Sequence, residues 1–408
     1  MSRTVTEHRE AVLGQITPTP AVTFALEDAA GLVLASDVTA HEALPRFDSS
    51  AMDGYAVRSA DVAGASGDAP VRLRVVADLA AGTDAAPFIG AGTAARIMTG
   101  APVPPGADAI VPIEDTDRGI DEVEVRAPAP AGRHVRRVAE DVAAGDVVLR
   151  AGQELTPYRL AAVAAAGRPE VLVHRRPVVV VISTGSELVT PGVATRRGQI
   201  PDSNSYLLAA AARAAGAQVH RLGAVRDDAH AFADAMESAG GADLIVTSGG
   251  VSVGAYDVVK EVLAPMDGMF FVSVAMQPGK PQGYGRLADS TSVIALPGNP
   301  VSAFVSFEAF VRPAILALRG LTGPDLLRPT LLARVEAGWS SPAGREQHMP
   351  VTLVAGPDGN VVARPAAARG SGSHLVASLA AADGIAVVAA DVTEVRPGEI
   401  VTAFRITA

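Results

Sequence analysis

Three segments of this chain place glycine and small hydroxyl residues directly after an apolar, β-branched run. Val178–Ile182 leads into Ser183, Thr184, Gly185, Ser186 and Glu187. Leu244–Thr247 leads into Ser248, Gly249, Gly250, Val251, Ser252, Val253 and Gly254. Val293–Leu296 leads into Pro297, Gly298, Asn299 and Pro300. Each reads as the carboxyl end of a buried strand followed by a tight turn. Glycine lets the backbone approach a ligand closely, and free N–H groups at a following helix start favour an anion. One such turn is ordinary. Three on one edge of an open α/β sheet coincide with the place where such sheets bind ligands, and predict a pocket for a phosphate or other oxyanion. Glu187 and Asp257 fall at the rim of that pocket. Carboxylates beside an anion site make chemical sense when a divalent cation bridges the two. Each read alone is equally a helix N-terminal carboxylate.

The 34 basic residues include lysine at only two positions, 260 and 280. Lys280 lies in Gln277-Pro278-Gly279-Lys280-Pro281, where prolines and glycine stiffen the backbone and aim a compact point charge. Lys260 follows Asp257 by one helical turn and reads as its surface partner. In the N-terminal half, Asp48–Tyr55 (which includes Asp53) and Met98–Pro104 (which includes Thr99) are polar loops beside a β-rich stretch. Arg133, Arg136 and Arg137 precede Glu140 and Asp141 and suit an anionic group, or else a solvated loop. Histidines are scattered singly. No Ser-His-Asp order, P-loop lysine or helix-opening G-x-G-x-x-G is present.

The elements that must position these residues follow from periodicity. A short amphipathic helix is predicted over 3–15, with Val5, Val12 and Leu13 on one side. Short strands at Val71–Ala77, Ala94–Met98, Ala109–Ile113 and Glu122–Val125 form an all-β module. Thr156-Pro157 opens an Ala-rich helix, with threonine as cap and proline at the first helical position. From residue 176 strands alternate with helices: strands at Pro177–Ile182, Val219–Val225, Asp243–Thr247, Phe270–Ala275 and Ser292–Leu296. The helices begin at Asp202-Ser203, Asp228, Tyr256 and Asn299-Pro300. That rhythm means βαβ units and a mostly parallel sheet. After Gly320 strands return at Thr330–Val335, Met349–Val354, Val361–Arg364, Ile385–Ala389 and Ile400–Arg405, with a hairpin turn at Gly356-Pro357-Asp358-Gly359.

Composition narrows the class. The chain has 408 residues, enough for about three domains. Aromatics are only 4%, so cores must be built from Ala, Val, Leu and Ile. The absence of cysteine excludes disulfides, thiolate metal sites, Fe–S clusters and Cys nucleophiles. A net charge of −10 argues against nucleic-acid binding through a basic surface. No apolar block opens the chain, and runs such as Ala161–Gly167 are too short to span a bilayer, so a soluble cytoplasmic protein is expected.

Taken together, Asp48–Tyr55, Met98–Pro104, Ser183–Leu188, Thr247–Gly254, Pro278–Pro281 and Leu296–Pro300 stand in the order and spacing of the MoeA family, molybdopterin molybdenumtransferases related to the E domain of gephyrin. The chain resembles that family over nearly its whole length. The resemblance implies a multidomain α/β plus β fold. A small α/β domain would span 21–45 and 140–175, and an inserted β-rich domain 46–139. A parallel α/β molybdopterin-binding domain of the MoaB/MogA type would span 1–20 and 176–318, and a C-terminal β-barrel domain 319–408. It implies a homodimer whose cleft joins the sheet domain of one subunit to the inserted module of the other. It further implies insertion of molybdate into adenylylated molybdopterin, with release of AMP and help from Mg²⁺ or Zn²⁺.

By matched motif, Glu187, Asp227 or Asp228, and Asp257 would bind metal and substrate. Ser183, Thr184, Gly185, Ser248, Gly249, Gly250, Ser252, Gly279, Lys280, Pro297 and Gly298 would hold pterin phosphate and adenylate. Asp53, Thr99 and Asp141 would complete the site from the partner subunit, and Arg345 and Ser371 match weaker positions in the last domain. Two residues depart from the family pattern: Ser186 stands where Asp is frequent, and Gln277 where Lys is frequent. A lost charge at either spot weakens metal or phosphate binding, or marks a tungstate-preferring paralogue. A separate molybdopterin adenylyltransferase would supply the substrate; neither nucleic acid nor membrane is an expected partner. A different nucleotide-processing enzyme, such as the competence-damage family, shares the Ser-Gly-Gly region but lacks the Asp48–Tyr55 and Met98–Pro104 loops.

Overall fold

The computed structural model describes residues 2–251, 257–356, 359–367 and 372–406. The fold is organised by one six-stranded mixed sheet. Its order is Gln218–Val225, Val178–Thr184, Leu244–Ser248, Ser292–Leu296, Pro281–Arg286, Met269–Ser273. The first four run parallel, and the last two are antiparallel additions. Strands buried on both faces need continuous β-branched runs, and Val179–Ile182 and Leu244–Val246 supply them. One face is covered by Asn204–Ala214 and the helix that begins at Pro300, around Val179, Leu208, Ile294, Phe307 and Ile315. The other is covered by Ala229–Ser238 and Val258–Leu263, around Ile182, Phe232, Ile245 and Val259.

The parallel reading of this sheet needs one correction. Pro281–Arg286 is a strand that the sequence pattern hides, because Gly283 and Gly285 leave no alternation to read. The glycines are there because Phe271 and Met269 on the neighbouring strand press against them.

The segment Pro300–Leu318 forms one helical rod with a π-type turn at Phe307–Val311. Pro313 accounts for that turn: it cannot donate to Ala309, and its ring would strike that carbonyl in a regular helix. The rod is long and apolar enough to cross a membrane by those measures alone. Run length missed it because Glu308 and Arg312 interrupt the apolar stretch. All of it except Pro300, Arg312 and Ala317 is buried within the chain, as befits a core helix.

The N-terminal helix, Val5–Leu13, opens with a reciprocal capping box between Thr4 and Glu7 and docks on the central domain through Val5 and Val12. Ala21–Ala25, Glu170–His174 and Val33–Leu34 form a small antiparallel sheet under Pro157–Ala165. The Thr156 hydroxyl does not cap that helix; it is buried without a hydrogen-bond partner. A separate five-stranded sheet has the order Ala109–Pro112, Gly54–Val57, Thr93–Ile97, Val71–Leu79, Glu122–Val125. Gly54–Val57, whose first two residues fall in the polar loop read at Asp48–Tyr55, is one of its inner strands, and Gly54 fits against the Val111 carbonyl with no room for a Cβ.

After Gly320, Thr330–Val335, Glu346–Ala355, Val361–Pro365, Gly384–Val388 and Ile400–Arg405 close into a five-stranded barrel, the closing pair being Glu346–Ala355 with Gly384–Val388. The hairpin turn assigned to 356–359 includes Pro357 and Asp358, which lie outside the described residues. Met276–Gln277 pairs with Glu346–Gln347, so the barrel is stitched to the segment that carries Lys280.

Candidate active site

The sheet register brings the three turn motifs together. Ser183 pairs with Ser248, and Ser248 with Leu296, so the turns that follow emerge side by side from one edge. The Gly249 N–H donates to the Leu296 carbonyl at 3.0 Å, and the Ser183 and Ser248 hydroxyls lie 3.2 Å apart. Gly249 holds φ +99° with the Thr184 carbonyl close beneath it. Gly250 holds φ +64° against Val259. Both positions require glycine, the first because no other residue adopts that backbone under so near a neighbour. Gly298 lies on Gly249, where an added Cβ would sit 3.4 Å from the Gly249 Cα.

This edge opens into a cleft of about 890 Å³. Thr184, Gly185, Ser248, Gly249, Gly250, Pro297 and Gly298 form its floor. Glu187, Asp227 and Asp257 stand on its walls, with Asp202 at the start of a neighbouring helix. Asp227 is fixed by Ser186: the Ser186 N–H donates to its carboxylate at 2.9 Å, and its own N–H donates to the Ser186 hydroxyl at 3.1 Å. The departure at Ser186 thus has a local reason. A neutral hydroxyl braces Asp227, where a second carboxylate would repel it. Asp228 lies apart from this wall. Its side chain accepts from the Ala231 N–H at 2.9 Å and caps Ala229–Ser238, so Asp227 is the cleft-facing member of the pair.

Lys280 is exposed on the segment beside the cleft, and its neighbour Pro281 lines the wall. The segment is pinned from behind. The Val274 N–H donates to the Lys280 carbonyl at 2.8 Å, and the Gln282 amide donates to both the Gly279 carbonyl and the Ser306 hydroxyl at 2.7 Å. Gly279 has φ +111°, with Ser306 and Met276 occupying the space of a Cβ. Gln277 accepts from the Arg345 guanidinium at 3.3 Å, so the departure at 277 provides an acceptor for Arg345 where lysine would add a like charge.

Sequence reasoning missed Asn204 and His374. Asn204 is buried on the cleft wall, and its amide N–H donates to the Gly298 carbonyl at 2.7 Å, while its carbonyl oxygen has no partner. The signal was the polar run Pro201-Asp202-Ser203-Asn204 at a helix start, which read simply as a cap. His374 reaches the rim from the barrel domain. Asn299 donates to the Ser373 hydroxyl at 3.0 Å there, so the last domain closes one end of the cleft.

Asp53, Thr99 and Asp141 do not line this cleft. Asp53 accepts from the Thr99 N–H at 2.7 Å and the Thr99 hydroxyl at 2.8 Å, and these bonds hold its carboxyl below the usual carboxylate range. Asp48 accepts from the Val138 N–H at 2.8 Å and pairs with Arg137 at 2.6 Å; it too is held low, chiefly by the Val138 bond. Asp53, Thr99 and Asp141 are all exposed. Ser252 and Ser371 lie outside the described residues.

Four carboxylates on one cleft, Asp202 among them, and no cysteine make an oxygen donor set, which suits a hard cation such as Mg²⁺ better than Zn²⁺. Among the described residues no three His, Asp or Glu side chains form a ready-made metal cage. A cation held here would need further oxygens from a ligand, which is how Mg²⁺ sits on phosphates.

A glycine-floored, carboxylate-walled cleft at the carboxyl edge of an α/β sheet lies where proteins of this class bind their ligands. Comparison with known proteins makes this specific. Residues 3–167 match the MoeA N-terminal region (domains I and II), 180–317 a probable molybdopterin-binding domain, and 333–405 the MoeA C-terminal region (domain IV). A Mycobacterium tuberculosis protein named molybdopterin molybdenumtransferase 2 is 47% identical over 403 residues, covering 97% of this chain and 98% of its own. Molybdopterin molybdenumtransferase 1 of the same organism is 39% identical over 405 residues, covering 95% and 94%. Among solved structures, a molybdopterin biosynthesis MoeA protein from Pyrococcus horikoshii superimposes with a TM-score of 0.83 at 31% identity, covering the whole of both chains. The chain belongs to the MoeA family.

Proposed function

We propose that this protein is a molybdopterin molybdenumtransferase that inserts molybdate into adenylylated molybdopterin and releases AMP. The observation that carries the reading is the convergence of the three glycine turns and of Glu187, Asp227 and Asp257 on one cleft. The cleft floor supplies backbone N–H groups at Gly250 and Gly298 for phosphate oxygens, the Gly249 N–H being held by the Leu296 carbonyl, and Lys280 adds one positive charge at the edge. Glu187, Asp227 and Asp257 hold Mg²⁺ together with the substrate phosphates. A cation held by these residues would supply screening of the phosphoanhydride charge and polarisation for its cleavage. The unpartnered carbonyl of buried Asn204 accepts an N–H from the heteroaromatic part of the substrate.

The chain works as a homodimer, in which Asp53, Thr99 and Asp141 of one subunit complete the cleft of the other. Two observations favour this: the Asp53–Thr99 pair is ordered and exposed, and it lies off its own subunit's cleft. The protein acts in the cytoplasm on substrate delivered by a molybdopterin adenylyltransferase. The test is AMP release from adenylylated molybdopterin by purified protein. Release that requires both molybdate and Mg²⁺ supports the reading, and tight binding without release makes the protein a carrier.

A further inference from the structure

A second cleft, of about 450 Å³, lies where the small antiparallel-sheet domain meets the end of the long core helix. Its walls carry Arg159 and Thr156 from one side and Arg312 and Arg319 from the other, with Glu154 and Asp325 as the only carboxylates among the described residues. None of these residues lines the cleft described above.

The walls hold more hydrogen-bond donors than the protein satisfies. A guanidinium has five N–H groups. Half-buried Arg312 uses one, on the Leu326 carbonyl at 3.3 Å, and among the described residues no carboxylate stands within ion-pair distance of it. The nearby Glu308 is held by Arg328 through two bonds, at 2.6 and 3.2 Å. Burial, and then the charge of Arg328, push the Arg312 pKa below the usual arginine value, against the opposing pull of Glu308 and with a smaller push from Arg319. Arg159 spends one N–H on the Glu154 carbonyl at 2.8 Å. Arg319, itself more than nine-tenths buried, donates to the Ala215 and Gly31 carbonyls and pairs with Glu154 at 3.2 Å. The buried Thr156 hydroxyl has no partner at all. Three guanidinium charges therefore face two carboxylates across a polar cavity, with an idle hydroxyl and unused N–H groups.

We propose that this interdomain cleft binds a phosphate group, free or as a monoester, between Arg159, Arg312 and Thr156. Phosphate is acceptor-only toward such donors and bidentate toward a guanidinium fork. It would add a close countercharge for Arg312, which shares Glu308 with Arg328, and tie the small domain to the long helix, so occupancy stiffens the joint between them. The inference is independent of the proposed transfer reaction.

The test is a thermal-shift titration of the full chain with inorganic phosphate and with glycerol phosphate, against sodium chloride at matched ionic strength. The expected result is a saturable rise in melting temperature beyond the chloride control, with apparent affinity weakened about tenfold or more in Arg312→Leu and in Arg159→Gln. Saturation by inorganic phosphate identifies the free ion as sufficient; saturation by the ester alone assigns the site to phosphate monoesters. Arg159→Gln alters the opposite wall, so the test stands even where Arg312→Leu fails to fold. A shift that follows ionic strength only, or that persists undiminished in both variants, overturns the proposal.

Discussion

Two glycines of the cleft floor touch each other yet should respond oppositely to a single methyl group. At Gly249 an added Cβ would lie 2.5 Å from the Thr184 carbonyl oxygen and 2.7 Å from the Thr184 hydroxyl. Carbon–oxygen contacts of this kind normally stop at about 3.3 Å, so the turn must move by about 0.8 Å. The backbone there also holds φ +99°, which costs a residue with a Cβ a further ~1–2 kcal/mol. The neighbour cannot yield, because Thr184 is the last residue of a strand paired on both sides. At Gly298 the added Cβ would meet the Gly249 Cα at 3.4 Å, ordinary contact, and φ is not positive. Gly249→Ala should therefore lose activity by about a hundredfold, since a displacement near 1 Å in a positioned site has that effect. It should also lower the melting temperature by several degrees, from a destabilisation of about 2–4 kcal/mol. Gly298→Ala should keep activity within about threefold, with a stability change below ~1 kcal/mol. The assay is AMP release at saturating substrate alongside a thermal melt. Equal losses in the two variants, or a Gly249→Ala enzyme of near-normal rate, would refute the geometric argument.

Three further predictions follow from individual side chains. His8 is buried against Tyr284 and Phe310 with both ring nitrogens unpartnered, and burial lowers its pKa from 6.5 to about 4. The unfolded chain then binds more protons than the native one between those values, so stability is lost as pH falls below 6.5. By pH 5 the loss is about 2 kcal/mol, at ~1.4 kcal/mol per pH unit. His8→Phe should accordingly lose several degrees less than the parent between pH 7.5 and pH 5 in thermal melts; an identical pH response in both proteins would contradict the assignment. Asp227→Asn should raise the Mg²⁺ concentration for half-maximal activity, whereas Asp228→Ala should leave it unchanged and cost about 1 kcal/mol of stability through its lost helix cap; the reverse pattern in a metal titration would exchange their roles. Mixed dimers of Asp53→Ala and Lys280→Ala subunits should recover part of the activity that each variant lacks alone, because one of the two clefts is then intact. Folded mixed dimers without recovery would count against a shared cleft.

The cleft was legible because its parts are short, local and chemically distinctive. Strand, glycine and hydroxyl residues recur at Thr184, Ser248 and Leu296, and parallel pairing then forces the three turns onto one edge. The barrel strands were legible for a similar reason, since Thr330–Val335 and Ile400–Arg405 alternate clearly. What escaped was decided by tertiary contact. Pro281–Arg286 is a strand without an apolar pattern, because neighbouring side chains fill the space above its glycines. The start of Gly54–Val57 hid at the end of the polar loop Asp48–Tyr55 for want of length. Asp227 and Asp228 are adjacent and identical in type, so only the direction of the chain could say which would cap and which would face the cleft. Asn204 gave only the signal of a helix start, because its importance lies in an amide bonded to Gly298, some ninety residues away, and a carbonyl oxygen left without a partner.

The central claim is most directly tested by following the metal itself. Purified protein would be incubated with adenylylated molybdopterin, molybdate and Mg²⁺, and molybdenum bound to the pterin product measured beside the AMP released. The account predicts one molybdenum incorporated per AMP, abolished in Lys280→Ala and reduced at limiting Mg²⁺ in Asp227→Asn. AMP release without molybdenum in the product would contradict it and leave a hydrolase in its place.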